Sequence, residues 1–142
     1  MNKQIDHILL VDDDFDDNYI HKMVINNTGL VKEVELANDG SEALEVLQGL
    51  WSQPYQPARP NIIFLDINMP KMNGWEVLNA LNEMGEKANR SMVVMLSTSQ
   101  TPEDKQKAMA YPFVQGYLQK PLTEEALAEV VQAFWEKYQT DS

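Results

Sequence analysis

Apolar positions along this chain follow two alternating rhythms. Short continuous apolar runs, of the kind that fill a strand buried on both faces, give way to stretches where apolar residues recur every three or four positions, as on one face of a helix. The first run, His7 to Asp12 (HILLVD), ends in acids and predicts a buried strand. Asp16 to Asn27 predicts a helix whose shared apolar face carries Tyr19, Ile20, Met23 and Val24, with Gly29 as its stop. Lys32 to Ala37 (KEVELA) alternates as an edge or half-buried strand does. Ser41 to Leu50 predicts a second helix with Ala43, Leu44, Leu47 and Leu50 inward. Asn61 to Asp66 (NIIFLD) is the next buried strand, and Gly74 to Met84 a third helix through Val77, Leu78, Leu81 and Met84. Met92 to Ser97 (MVVMLS) predicts a strand. Thr101-Pro102-Glu103-Asp104 then opens a helix, with a capping Thr, Pro at the first helical position and acids at the positive dipole end. Val114 to Leu118 is a shorter strand. Thr123 to Tyr138 is the longest helix, with Leu127, Val130, Val131, Phe134 and Tyr138 as its buried stripe.

Five strands thus alternate with five helices in one sequence of 142 residues. That pattern implies a single α/β domain (core about 6–138) with a doubly wound five-stranded parallel sheet covered on both faces. In such sheets the working site lies at the carboxyl ends of the strands. Strand one ends in Asp12-Asp13-Asp14, strand three in Asp66 and strand four in Ser97-Thr98-Ser99, and strand five is followed by Lys120-Pro121. Carboxylates, a hydroxyl and an ammonium far apart in sequence are therefore expected on one edge.

Carboxylates forced together repel, so at least one resists ionisation unless a cation sits among them. Oxygen-only ligands favour Mg²⁺. A carboxylate beside that ion can act as nucleophile toward a phosphoryl group and form an aspartyl phosphate. Ser97 is placed to donate a hydrogen bond to one phosphoryl oxygen and Lys120 to pair with another. The plainer reading of acids after a strand is a solvated turn or helix cap, and it suits Asp14, Asp16 and Asp17. Asp66 is harder to dismiss, because it directly follows Ile62-Ile63-Phe64-Leu65 and an ionised carboxylate beside a buried strand is costly without a partner. A calcium loop starting at Asp12 fails: Asp17 and Met23 stand where it needs Gly and Glu.

Composition narrows the function further. The formal net charge is -11, and no Lys/Arg cluster offers a local basic patch, which disfavours nucleic-acid binding. After the last apolar stretch only Gln139 to Ser142 remains, so no DNA-binding output domain is expected. No apolar run approaches the roughly 18 residues of a membrane span, and the N-terminus lacks a signal-peptide shape, which points to the cytoplasm. The absence of cysteine excludes disulfides and Cys-zinc sites.

Taken in order, LLVDDD, FLDINMPKMNGWE, MLSTS and YLQKPL closely resemble the four signature segments of the response-regulator receiver family. Each segment alone is a weak signal, but four in order on the expected elements are specific. The resemblance implies a flavodoxin-like (βα)5 receiver in two-component signalling, a phosphoacceptor and not a turnover enzyme. It implies that Asp66 takes phosphate from the phosphohistidine of a sensor histidine kinase or a phosphotransfer protein. Asp13 would bind Mg²⁺ directly, Asp12 directly or through water, and Asn68 through its backbone carbonyl, with Asp66 completing the set. Lys120 would contact the phosphoryl oxygens. Ser97 would swing toward them and Tyr117 would rotate inward, reshaping the face made by helix four, strand five and helix five for a downstream effector protein or a homodimer. The family also implies a cis Lys120-Pro121 peptide, and places Asn68 and Ser99 beside the path of attacking water.

Some positions depart from the family pattern. Ser97 replaces the commoner Thr, which keeps the hydroxyl. Phe113-Val114 stand where Gly-Ala is frequent, which bears on the loop before strand five and the output face. Two long loops, Trp51 to Pro60 and Gly85 to Ser91, resemble those of single-domain regulators paired with phytochrome-type kinases. A haloacid-dehalogenase-like phosphotransferase would need a second Asp where Asn68 stands. A flavodoxin-like flavin carrier would need a phosphate cradle where Asp12 to Asp17 stand. A pseudo-receiver that only binds partners would not need the full set of site residues.

Overall fold

The computed structural model describes residues 4–52, 60–69, 72–98 and 101–138. The chain runs β1 (Ile5–Val11), α1 (Phe15–Thr28), β2 (Val31–Ala37), α2 (Gly40–Trp51), β3 (Ile62–Leu65) and α3 (Gly74–Glu83). A 3-10 helix (Gly85–Arg90) follows, then β4 (Met92–Ser97), α4 (Pro102–Met109), β5 (Val114–Gln119) and α5 (Glu124–Lys137). The five strands form one sheet in the order β2-β1-β3-β4-β5, all parallel. The order reverses at β1, so β1 and β3 lie side by side with their carboxyl ends at the topological switch point. Among the described residues no helix is long and apolar enough to cross a membrane.

Alternation along the central strands builds two cores. Ile8 and Leu10 of β1, Ile62 and Phe64 of β3, and Val94 and Leu96 of β4 pack with Ile25 of α1 and with Leu127, Val131 and Phe134 of α5. Leu9, Val11, Ile63, Leu65, Val93 and Met95 point the other way, onto Ala43 and Leu47 of α2 and Val77, Leu78 and Leu81 of α3. Both faces are therefore dry, which is why these strands read as unbroken apolar runs.

Side chains placed just after strands end the loops and start the helices. Asp14, Asp39, Asn73, Thr101 and Thr123 each accept a hydrogen bond from the backbone N–H three residues on. Asn73 and Glu76 form a reciprocal capping box. Gly29 ends α1 in the left-handed region (φ 69°), as its position in the sequence anticipates.

The face of α1 departs from the expectation. Tyr19, Ile20 and Met23 are exposed, together with Phe15, and only Val24 of the expected stripe packs against the core. The buried residues are Asn18, His21 and Ile25. The reason is polar: Asn18 Nδ2 donates to the Asp12 carbonyl at 2.9 Å, which satisfies a backbone acceptor at the end of β1 that no strand reaches. A second correction concerns Trp51, which closes α2 and is 2 % exposed, so it belongs to the core and not to a loop. Most of the rest of that loop lies outside the described residues. Gly85 to Ser91, expected as a loop, is largely the 3-10 helix. Phe113 and Val114 are buried, and the strand shifts register between Val93 and Val94 so that Gly116 faces Val94.

Two outcomes follow for stability. Ile25→Ala is expected to cost about 2–5 kcal/mol, against about 0.5 kcal/mol or less for Met23→Ala on the exposed face; urea unfolding of both variants checks the orientation of α1. A Cβ at Gly74 would sit 2.5 Å from the Asp66 carbonyl oxygen and 2.7 Å from Ile67 Cα, both backbone atoms. Gly74→Ala is therefore expected to cost about 1–3 kcal/mol in the same assay, by pushing the Asp66 loop off α3.

Candidate functional site

The parallel ladder delivers the acidic residues to one edge. Asp12 N–H donates to the Ala37 carbonyl at 3.2 Å and Asp66 N–H to the Val11 carbonyl at 3.0 Å, so each aspartate is the first residue past its strand and is held by its neighbour. Gly74 N–H donates to the Ile67 carbonyl at 2.8 Å and docks the start of α3 against the Asp66 loop. Lys120 N–H donates to the Ser97 carbonyl at 3.0 Å, which ties the end of β5 to the end of β4.

Carboxylate oxygens of Asp12, Asp13 and Asp66 all lie within 4.8 Å of one another. Asp12 and Asp66 are buried and Asp13 is exposed. Burial is the main cause that pushes the Asp66 pKa up to about 6, and the neighbouring Asp12 charge adds to it. Lys120 and the Asn68 amide, which donates to Asp66 Oδ1 at 3.4 Å, oppose the shift without cancelling it.

Lys120 Nζ reaches this group from the far side of the sheet. It lies 2.6 Å from Asp12 Oδ2, 3.0 Å from Asp17 Oδ2 and 3.4 Å from Asp66 Oδ2. Burial disfavours the ammonium, but the hydrogen bonds to Asp12 and Asp17 outweigh that and hold its pKa above the ordinary value. The Lys120-Pro121 peptide that follows is cis.

Ser97 is fully buried at the end of β4. Tyr117 is half-buried on β5, paired with Met95 and packed against the α2–α3 core. Asn68 is exposed two residues past Asp66, whereas Ser99 lies outside the described residues. The structure thus brings Asp12, Asp13, Asp66 and Lys120 together and places Ser97 and Tyr117 on the two strands beside them.

With this geometry in hand, the comparisons decide the family. The model of the response regulator receiver domain matches residues 8–132. The chain belongs to the response regulator receiver domain family. Receivers of this family are two-component response regulators, and phosphorylation on aspartate is general to them. Response regulator Rcp1 of Synechocystis sp. is 35% identical over 97 residues, which are 68% of this chain and 65% of that protein, so the match spans a little under two thirds of its length. The solved structure of a two-component response regulator from Cytophaga hutchinsonii is 35% identical, with a TM-score of 0.86, over 94% of this receiver and 99% of that chain. The structure of the bacteriophytochrome response regulator AtBRR is 28% identical, with a TM-score of 0.71, over 90% of this receiver and 91% of that chain.

Three residues of the receiver's acidic edge escape the sequence reading: Asp17, Asn18 and His21. Asp17 is read there only as a turn or cap residue, yet it pairs with Lys120. Its signal is its spacing, four residues past Asp13 and one turn into a helix that starts beside the site. Asn18 and His21 line a small cavity beneath Asp12 and Asp66, with room for about one water molecule. Burial lowers the His21 pKa against the pull of Asp17.

The raised Asp66 pKa has a defined sign. The folded state holds the proton up to about pH 6, whereas the unfolded chain releases it near 3.8. Between those values the folded state binds more protons, so this group's contribution to stability falls as pH rises through about 4 to 6. Asp66→Asn is expected to raise stability at pH 8 by about 1–3 kcal/mol in EDTA-containing buffer. The gain should shrink toward zero near pH 4; urea midpoints across that range check it.

Proposed function

We propose that Asp66 is the phosphoacceptor of this receiver and takes its phosphoryl group from the phosphohistidine of a sensor histidine kinase or a phosphotransfer protein. The observation that carries the reading is the buried carboxylate of Asp66 within 4.8 Å of Asp12 and Asp13 and 3.4 Å from the Lys120 ammonium. In the transfer the phosphorus–nitrogen bond to imidazole breaks and a phosphorus–oxygen bond to Asp66 forms. The donor imidazole leaves and takes up a proton.

The donor set fits a divalent cation. It is all oxygen, it joins two buried carboxylates and an exposed one, and burial together with the Asp12 charge leaves Asp66 reluctant to ionise despite Lys120. Asp12, Asp13, Asp66 and the Asn68 carbonyl would hold Mg²⁺. When bound, that ion supplies charge neutralisation for the phosphoryl oxygens and holds them in line with the attacking carboxylate. The protein's own residues do the rest. Asp66 attacks as the ionised carboxylate. Lys120 pairs with a phosphoryl oxygen, and Ser97 donates its hydroxyl to another.

The consequence runs through β4 and β5. Ser97 turns toward the phosphoryl group, and Tyr117 moves into the space behind it. The face of α4, β5 and α5 then presents a changed surface to a downstream effector. Around α4, Lys107 sits 4.3 Å over the Trp75 ring of α3, and the hydroxyl of Tyr111, just past α4, donates to Asn79 of α3, so this segment is tied to α3. The likeness to AtBRR supports a phytochrome-type kinase as the donor.

Incubation with Mg²⁺ and phosphoramidate, followed by intact-mass measurement, tests the acceptor. The expected result is a gain of one phosphoryl group that is lost in Asp66→Asn and in EDTA. Labelling that persists in Asp66→Asn would remove Asp66 from the role, and multiple turnover of a foreign phosphate ester would point to an enzyme instead.

A further inference from the structure

Lys120 is placed by two anchors of different kinds. Asp12, at 2.6 Å, is a member of the carboxylate trio, and its other oxygen already accepts from Asp14 N–H at 3.0 Å. Asp17, at 3.0 Å, stands outside that trio. A divalent ion held by the trio would draw on Asp12 and Asp66 and weaken their hold on the ammonium, whereas Asp17 lies outside the trio.

Asp17 is itself fixed. It lies in the first turn of α1, and its N–H donates to Asp14 Oδ1 at 3.1 Å in the cap of that helix. A lysine head on a four-carbon stem has many positions open to it. Here the Lys120 side chain is only 11% exposed and its head is held by Asp17 of α1 and by Asp12 and Asp66 just past β1 and β3.

We infer that Asp17 is a positioning residue for phosphoryl transfer, anchoring the Lys120 ammonium beside Asp66 so that the cation is in place when phosphoryl oxygens arrive. The inference rests on the reading of Asp66 as acceptor and Lys120 as its cation. Asp17 touches neither the phosphoryl group nor the metal and acts through Lys120. The gain is one of preorganisation, because a charge already in place need not be ordered during the reaction.

The test is the rate of Mg²⁺-dependent labelling by phosphoramidate, read by intact mass, for the wild-type chain and for Asp17→Ala, Asp17→Asn and Asp17→Glu. Removing the anchor is expected to slow labelling roughly tenfold. Asp17→Asn, which keeps the shape and loses the charge, should fall between. Asp17→Glu, which restores the charge, should recover most of the rate. In a Lys120→Ala background, followed over longer incubations, adding Asp17→Ala should change nothing further. Urea unfolding shows that each variant compared is folded. A wild-type rate in folded Asp17→Ala overturns the inference. So does an equal slowing with and without Lys120, or a failure of Asp17→Glu to recover the rate, since either marks Asp17 as merely structural. A wild-type chain that takes no phosphoryl group overturns the acceptor reading and this inference with it, whereas wild-type labelling unchanged in Asp17→Ala overturns this inference alone.

Discussion

Two buried carboxylates on adjacent parallel strands, Asp12 and Asp66, face one buried ammonium at the edge of the sheet. Like charges at this separation in a low-dielectric setting cannot both be ionised cheaply. Burial is the main cause of the raised proton affinity of Asp66, the Asp12 charge adds to it, and Lys120 offsets part of the shift. A dication would relieve what the lysine leaves, and under the proposed reading the same imbalance would favour Mg²⁺ at this edge and a reactive Asp66 carboxylate.

The scaffold is arranged to hold that imbalance in place. Strand pairing fixes the backbone of Asp12 and Asp66, and the docking of Gly74 on Ile67 fixes the loop behind Asp66. Lys120 reaches the acids from β5 across the intervening β4, a span that suits a long, flexible side chain. Beneath them Asn18 closes the open carbonyl of Asp12. The layer under the site is thus polar and specific, while both faces of the sheet are apolar. In the proposed reading, phosphorylation would change the charge at this polar edge, and β4 and β5 would carry that change to α4 and α5.

Much of this was legible from residue order. Two-sided burial makes a strand read as an apolar run, and capping chemistry marks helix starts, so the alternation of elements and the strand-end acids were visible at once. Asp66 stood out as a candidate because it is an acid set directly after a four-residue apolar strand. Harder to read was the inward face of α1. Apolar periodicity points to Tyr19, Ile20 and Met23, yet the requirement to satisfy a backbone carbonyl turns Asn18, His21 and Ile25 inward. Hydrophobic burial is non-directional and tolerates an exposed stripe, whereas a buried acceptor without a donor is costly, so the polar demand decided the rotation.

Sequence alone determined the α/β class and the sheet's acidic edge, because each depends on local pattern and on the rule that parallel strands expose their carboxyl ends together. Tertiary structure decided which acids share Lys120. Asp17 and Lys120 are 103 positions apart, and nothing in either local pattern says that the first turn of α1 and the end of β5 meet. That pairing is set by the packing of a helix against a sheet edge, a constraint that acts between elements and leaves no periodic trace along the chain.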